Sequence, residues 1–140
     1  MKKIITITML MLALVSCNNN QVGQVAGSYS YKISGKAMLS NLDVVMTEEI
    51  GVMDIIRKSS DSVLLTFNTF QGPVFYTTAA VKGKNIELVP FNREVTQSLM
   101  TYGVAVSGNG TVYDGTIIFN LCYKGDILNA DSLIMLCKRN

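Results

Sequence analysis

The side chains that could do chemistry in this chain are three cysteines and a few closely spaced carboxylates, because histidine is absent. Without histidine, the usual general base and the commonest metal ligand are both missing. Catalytic arrangements of the Ser-His-Asp and Cys-His kinds are therefore excluded. The composition favours a non-enzymatic protein, and we expect neither a cofactor nor a bound metal.

Glu48, Glu49 and Asp54 form the densest acidic cluster. Paired carboxylates can hydrolyse glycosides when they flank a cleft at a defined separation. Neighbouring residues of a strand point to opposite faces, so Glu48 and Glu49 can serve one substrate only if they lie in a loop. A solvated edge or loop is the expected environment. A hydrolase would require all three carboxylates to converge in one cleft.

Cys122 and Cys137 are candidates for a disulfide. If the last two strands form a hairpin turning at Asn129-Ala130, residue 122 lies opposite residue 137. Directly opposed residues have Cβ atoms about 4.5–5.5 Å apart, which a modest adjustment would bring within bonding reach. An oxidising, exported compartment would preserve the bond. The alternative is two buried free thiols that act as small apolar side chains.

The first seventeen residues have the order of an export signal. Lys2 and Lys3 precede an uncharged apolar run, which ends at Leu14-Val15-Ser16-Cys17. A basic start, a short apolar core and a small residue before the cut site predict a secretory signal peptide over residues 1–16. The run is too short for a membrane-spanning helix, which needs about 20 residues.

Leu14-Val15-Ser16-Cys17 resembles the lipobox of bacterial lipoproteins. The resemblance implies that Cys17 is acylated, with palmitate among its lipids, and that the protein is exported and anchored to the cell envelope, with the outer membrane as the expected site. Residues 17–24 are predicted to be a lipidated polar tether. With Cys17 acylated, the two remaining cysteines are too few for a structural zinc site.

The formal charge of +2 belongs to the leader, because Lys2 and Lys3 account for the excess of twelve basic over ten acidic residues. The net charge therefore gives no argument for binding nucleic acid or a membrane surface, and we expect no nucleic-acid partner. The sequence does not indicate the oligomeric state.

Residues 25–140 are predicted to form one domain of short strands, with β-branched and aromatic residues alternating between turn signals. Residues 38–47 form either a long loop or part of an extended second strand. Asn92 could cap one or two helical turns within 91–101. Gly108-Asn109-Gly110 marks a bulge or kink, or else a hairpin turn that splits its strand. The expected strands are 28–36, 49–57, 62–70, 74–81, 86–89, 102–113, 116–123 and 132–138.

Eight strands joined mostly by short hairpins predict an all-β, antiparallel up-and-down barrel, because closure removes exposed edges. The opening Val25-Ala26-Gly27-Ser28-Tyr29, the glycines around Asn109 and the Asp114-Gly115-Thr116-Ile117 hairpin resemble small bacterial lipoproteins with a lipocalin-like (calycin-like) barrel. The chain departs from true lipocalins in having no Gly-x-Trp and no tryptophan. The resemblance implies a fold and a location rather than an activity.

The barrel interior is the expected place for a small apolar ligand, although plain core packing explains the same residues. The candidate lining residues are Tyr29, Tyr31, Leu65, Phe67, Phe75, Tyr102, Phe119 and Tyr123. A hollow barrel would favour a ligand carrier. A filled barrel with exposed apolar residues in 38–47 or 91–101 would favour docking of an envelope partner. A loop that inhibits a secreted enzyme is the alternative class.

Asp61-Ser62-Val63 and Asp131-Ser132-Leu133 resemble the Asp-Ser/Thr-aliphatic sites at which some bacteria O-glycosylate exported proteins. Both lie beside predicted turns, where a sugar could be attached. We predict them as weak candidate modification sites.

Overall fold

The computed structural model describes residues 21–40 and 43–140, in which one short helix precedes nine strands. The expected leader 1–16, Cys17 and the start of the tether lie outside these residues. No helix in the described ranges is long and apolar enough to cross a bilayer. The elements are α1 (Gln21–Val25), β1 (Gly27–Leu39), β2 (Asp43–Arg57), β3 (Ser62–Thr69), β4 (Phe75–Lys82), β5 (Asn85–Leu88), β6 (Phe91–Gln97), β7 (Met100–Tyr113), β8 (Thr116–Lys124) and β9 (Leu128–Arg139).

All strand pairs are antiparallel, and the sheet order is β5-β4-β3-β2-β1-β9-β8-β7-β6. A further pairing of β5 with β7 closes the sheet into a ring. The predicted all-β barrel is confirmed. Inward-facing residues alternate with outward-facing ones along each strand, which is how a single sheet can enclose a core.

The strand count is nine rather than eight because the segment expected to be helical or irregular, 91–101, contains strand β6. Phe91, Arg93 and Val95 all face the core, so the segment has the period of a strand. The sequence prediction missed this alternation because Arg93, a charged residue, occupies one of the inward positions. Pro90 separates β5 from β6, since proline cannot donate to the ladder.

Residues 38–39 and 43–47 of the ambiguous segment 38–47 belong to the paired ends of two strands. β1 continues to Leu39, β2 begins at Asp43, and their pairing extends to the tip, where Met38 lies opposite Val44. The alternative of an extended second strand was therefore correct for 43–47.

Gly108 and Gly110 lie within one continuous strand, β7, so no hairpin turn splits it. The pairing with β8 runs past both glycines without a register shift, and the expected bulge is absent. The glycines serve close packing instead. A Cβ on Gly110 would lie 2.6 Å from a Phe119 ring carbon, and one on Gly108 would overlap the carbonyl oxygen of Asn120.

The alternating strand directions give the barrel two distinct ends. We call one the helix end, because it carries α1 and the connections 58–61, 83–84 and 114–115. We call the other the loop end, which carries the connections 40–42, 70–74, 98–99 and 125–127.

Helix α1 covers its end of the barrel. Val22 and Val25 are buried, and the Tyr29 hydroxyl donates to the Val25 carbonyl at 2.8 Å. Arg139 donates from Nη2 to the Gln24 carbonyl and, at 2.8 Å, to Tyr29 Oη. The predicted tether 17–24 is therefore wrong over residues 21–24, which belong to α1, where Val22 packs against the core.

Candidate functional site

The eight candidate lining residues all lie in or against the barrel core. Six of them are buried, namely Tyr29, Tyr31, Leu65, Phe67, Phe119 and Tyr123. Phe75 and Tyr102 are half-buried and pack against the others.

A column of aromatic rings runs through the half of the interior nearer the loop end. The Phe67 and Phe75 rings stack with centroids 4.6 Å apart, and Phe75 stacks on Phe91 at 5.7 Å. Tyr31 meets Phe67 edge-on at 5.6 Å. Both the offset-stacked and the edge-on arrangement are favourable for aromatic pairs. The column fills the space that a ligand would need.

An internal cavity beside this column has a volume of about 10 Å³. Its lining includes Phe67, Phe75, Phe91, Arg93 and Tyr123. One water needs about 10–15 Å³ and a drug-sized ligand about 300 Å³ or more. Larger spaces are open clefts on the outer surface, and one of about 490 Å³ beside Gly103 and Gly125 has no Phe or Tyr in its lining. The barrel interior is filled by its own side chains.

An ion pair between Arg93 and Glu49 lies against the Phe75 ring of the aromatic column. Arg93 Nη2 is 2.6 Å from Glu49 Oε2, and Nη1 donates to Oε1 at 3.2 Å. Only 4% of the Arg93 side chain and 12% of the Glu49 side chain are exposed. The guanidinium lies 3.8 Å from the centroid of the Phe75 ring, a cation–π geometry. The Tyr31 hydroxyl donates to Glu49 Oε1 at 3.0 Å.

Burial changes the acidity of two tyrosines near this ion pair. Desolvation, reinforced by the Glu49 carboxylate, raises the pKa of Tyr31 above its ordinary value of 10.0. Desolvation raises the pKa of Tyr123 from 10.0 to about 12, with the Arg93 cation acting in the opposite direction. Both phenols therefore stay protonated at neutral pH, and Tyr31 acts as a hydrogen-bond donor rather than a base.

Arg93 was missed as a site residue by the sequence prediction. Its placement in a segment expected to be helical hid the fact that it faces the interior. The signal was nevertheless present, because Phe91, Arg93 and Val95 alternate with polar residues. A charge at an inward position of a strand requires an opposite charge inside the barrel, and Glu49 was already a candidate.

Side chains rather than a backbone ladder join β6 to β2 at the loop end. β6 pairs with β7 on one side, and β2 pairs with β3 only from Gly51 to Arg57. Across the seam, Gln97 Nε2 donates to the Met46 carbonyl at 3.0 Å, and Thr47 Oγ1 donates to Gln97 Oε1 at 3.3 Å. The Arg93–Glu49 pair completes this closure.

The acidic cluster does not converge. Glu48 points outward and pairs with Lys32 at 3.2 Å, whereas Glu49 points inward to Arg93. The two neighbouring carboxylates face opposite sides of β2, as expected for strand residues, but the expected solvated edge or loop is wrong for Glu49, which lies in a strand and is buried against Arg93. Asp54 lies nearer the helix end of β2, on the outer face and opposite Ser28. No cleft brings the three carboxylates together.

The expected disulfide register is wrong. Cys137 pairs across the ladder with Ile117, while Cys122 lies opposite Ser107 of β7, beside a register shift between Leu121 and Tyr123. Five residues of β8 separate positions 117 and 122, and at about 3.3 Å per residue this is about 16 Å. Cys137 faces the core and Cys122 the outer surface, and both are free thiols. The pairing failed because the hairpin turns at 125–127 and not at Asn129-Ala130.

Of the two candidate glycosylation motifs, Asp61-Ser62-Val63 lies at the start of β3, whereas Asp131-Ser132-Leu133 lies within β9 and not beside a turn as expected. Ser62 is half-buried, and its Oγ is 2.6 Å from Ser59 Oγ. Ser132 is exposed beside Asp131, which pairs with Lys124 at 2.6 Å. Ser132 is thus the more accessible of the two, and its modification stays a prediction.

The loop end has a concentration of exposed apolar side chains. They come from the β1–β2 hairpin, the β6–β7 turn and the β8–β9 connection: Met38, Val44, Met46, Leu99, Met100 and Ile127. Leu99 is 100% exposed. Ser98 and Leu99 have φ angles of 52° and 65°, a left-handed conformation that costs energy in residues other than glycine. Residues 98 and 99 thus form a two-residue hairpin loop with positive φ at both positions, and the leucine at its tip is fully exposed.

Comparison with known proteins supports the fold alone. No family model matches the chain, and no curated protein matches it in sequence. A solved structure described as a redesigned beta barrel, b11L5F_LGL, is similar with a TM-score of 0.56 at 11% identity over 86% of this chain and 96% of that chain. A second, EF1p2_mFAP2b bound to DFHBI, has a TM-score of 0.55 at 12% identity over 88% of this chain and 99% of that chain. The chain therefore shares the architecture of these small barrels.

Proposed function

We propose that this chain is a lipid-anchored protein of the bacterial cell envelope, of the lipocalin-like lipoprotein kind, that docks a partner protein through its loop end and has no catalytic activity. The lipid anchor is Cys17, supported by the order of charge, apolar run and Leu14-Val15-Ser16-Cys17 in the leader. The expected site is the outer membrane.

The observation that carries the docking role is the combination of a filled interior with an apolar loop end. A cavity of about 10 Å³ leaves no room for a cargo molecule. The side chains that an interaction would bury are instead outside, and they include Val44 and Met46, which are 62% and 65% exposed. Grouped apolar exposure of this kind marks interaction surfaces.

The position of α1 supports an outward-facing loop end. Residue 21 lies at the helix end of the barrel, so an anchor at Cys17 attaches there. The loop end is at the opposite end of the barrel. A barrel attached in this way presents Leu99 and the β1–β2 hairpin away from the lipid.

The test is site-specific photo-crosslinking in the native envelope. A photoreactive residue at position 99 should give one discrete protein adduct, whereas the same residue at Ser59, on the helix end, should not. Val44→Lys with Met46→Lys should abolish the adduct, because two charges would have to be desolvated in the interface. Equal adducts at positions 99 and 59, or none at 99, would contradict the proposal. A small molecule that co-purifies in native mass spectrometry would favour a carrier instead.

A second candidate function is inhibition of a secreted enzyme by the β6–β7 turn. The observation that favours it is Leu99, held in a left-handed conformation at the tip of a two-strand hairpin. A rigid, protruding apolar side chain can occupy a specificity pocket. Under this alternative the crosslinked partner would be an enzyme, and its activity would fall as the chain is added, with Leu99→Ser restoring it.

A further inference from the structure

The charges of the barrel are separated along its axis, although acidic and basic residues balance in number after the leader. The helix end carries six exposed basic residues: Arg57, Lys58, Lys82, Lys84, Lys138 and Arg139. Asp61 and Asp114 lie in the connections of that end, and Asp54 and Glu87 lie within three residues of it. At or near the loop end are Lys36 and Lys124, with Asp43, Glu94, Asp126 and Asp131. Two connections, 58–61 and 83–84, and the end of the last strand bring the six cations to one end, so the sequence does not display them as a run.

The N-terminal part of the chain leaves the barrel at this basic end. The backbone N–H of Gly83, between Lys82 and Lys84, donates to Gln21 Oε1 at 3.0 Å. Residues 17–20 precede Gln21, and four residues span at most about 14 Å. A tether this short allows the lysines to approach the headgroups to within the Debye length of about 8 Å at physiological ionic strength. An anchor at Cys17 therefore holds the lysines within electrostatic range of a bilayer.

We propose that the helix end rests on the headgroups of anionic phospholipids, with Lys58, Lys82, Lys84 and Lys138 as the contacting cations. This inference rests on the proposed function, in that the acylated Cys17 brings the basic end to the membrane. Clustered lysines next to a lipid anchor bind anionic headgroups and supply a second attachment beside the acyl chains. The barrel then stands end-on instead of rotating about its tether.

Two exposed apolar side chains at the same end fit a headgroup layer. Tyr113 is 53% exposed in the β7–β8 hairpin, and Ile56 is 56% exposed near the end of β2. Tyrosine favours the membrane–water interface, where its ring and hydroxyl find apolar and wet surroundings together. Asp114, beside Tyr113, opposes the attraction, so we expect the cations of 58–84 to dominate the contact.

The experiment uses the unacylated chain of residues 18–140, which contains every residue of the described core between Val22 and Cys137. It is sedimented with phosphatidylcholine vesicles, with and without about one third phosphatidylglycerol. We expect binding to the anionic vesicles alone, and we expect it to weaken as salt is raised from 50 to 200 mM because screening increases. Binding that is absent from, or equal on, both kinds of vesicle would overturn the proposal.

Matched charge reversals locate the contact. Lys58→Glu, Lys82→Glu and Lys84→Glu together should weaken binding by about tenfold or more. Lys32→Glu, Lys36→Glu and Lys124→Glu make the same change in net charge away from the helix end, and should leave binding within about twofold. Equal weakening by the two triple variants would show that only net charge matters. Lys→Gln versions, with thermal melts of each variant, separate lost contact from lost folding.

A separate measurement, acylation of Cys17, tests the lipid anchor of the proposed function independently of headgroup binding. Acylation at Cys17 is measured as a mass increment on the mature N-terminal peptide, and it is lost in Cys17→Ser. If Cys17 is acylated but residues 18–140 do not bind anionic vesicles, the lipid anchor stands and the end-on orientation of the barrel is refuted.

Discussion

Arg93 on β6 and Glu49 on β2 meet in a two-point ion pair inside the barrel, with Nη2 of the arginine 2.6 Å from Oε2 of the glutamate. These strands share no backbone ladder. The pair therefore holds together a seam that ordinary sheet pairing leaves open. Because both charges are desolvated, each depends on the other, and removing one partner leaves a buried charge without compensation.

Replacing Arg93 with methionine should destabilise the protein by about 3–5 kcal/mol, because the Glu49 carboxylate would be buried unpaired. Urea unfolding followed by tyrosine fluorescence measures the change. The neighbouring exposed pair provides the control: Glu48→Gln, which removes the contact to Lys32, should cost about 1 kcal/mol or less. Similar losses for the two variants would show that Arg93 and Glu49 are solvated.

The double variant Arg93→Met with Glu49→Leu should recover much of that loss. Apolar replacement of a whole buried ion pair is often neutral or stabilising, whereas single replacement is not. A double-mutant cycle gives the coupling from four unfolding curves, those of the unchanged protein, Arg93→Met, Glu49→Leu and the double variant. Additive losses would mean that the two residues act independently.

The sequence was sufficient to predict the all-β class and most strand positions, because alternation and turn residues are local signals. It was insufficient for β6, where Arg93 occupies an inward position that a local reading assigns to the outside. The pairing of Arg93 with Glu49, 44 residues apart in the chain, is a tertiary fact. No local pattern contains it.

Gly110→Ala should destabilise the barrel by about 1–3 kcal/mol, because the added methyl group would lie 2.6 Å from the fully buried Phe119 ring. Gly103 on the same strand is the matched control, since a Cβ there meets no atom within 4 Å. Gly103→Ala should be neutral or slightly stabilising. Thermal melts of the two variants compare them directly, and equal midpoints would refute the close approach.

Alkaline pH should destabilise the fold from about pH 9 upward. Burial raises the pKa of the Cys137 thiol from 9.0 to about 12, and that of Tyr123 from 10.0 to about 12. In this window the unfolded chain loses protons that the folded chain keeps, so the unfolded state is favoured as pH rises. Each such group lowers the free energy of unfolding by about 1.4 kcal/mol per pH unit.

The measurement for this pH dependence is the melting temperature between pH 7 and pH 11. Cys137→Val removes the thiol contribution, so its curve should fall less steeply between pH 9 and pH 10 than that of the unchanged protein. Parallel curves would show that the thiol ionises as readily in the folded protein as in the unfolded chain.

Thiol labelling of residues 18–140 should add one label to the folded chain and a second only in denaturant, without prior reduction. Cys122 is half-buried on the outer face, whereas Cys137 is fully buried. Intact mass measures the labels, and Cys122→Ser should remove the first one. If neither the folded nor the unfolded chain is labelled until it is reduced, the two cysteines form a disulfide after all.

The failed disulfide illustrates what strand register requires. An error of a few residues in locating the β8–β9 turn moved Cys137 from Ile117 to Cys122 in the expected pairing. The β-bulge between Leu121 and Tyr123 shifts the register again and has no distinct sequence signal. Residue burial was easier to predict than residue pairing, because alternation determines the face but not the partner.

The pairing of β1 with β9 joins Tyr29 to Arg139 across almost the whole described chain. In a chain that lacks β9, the edges of β1 and β8 that pair with β9 in the barrel have no partner strand. Ring closure must therefore be a late event that waits for the last dozen residues, and contacts of such long range slow folding. A chain that has not yet formed β9 therefore lacks the strand that joins β1 to β8 in the closed barrel.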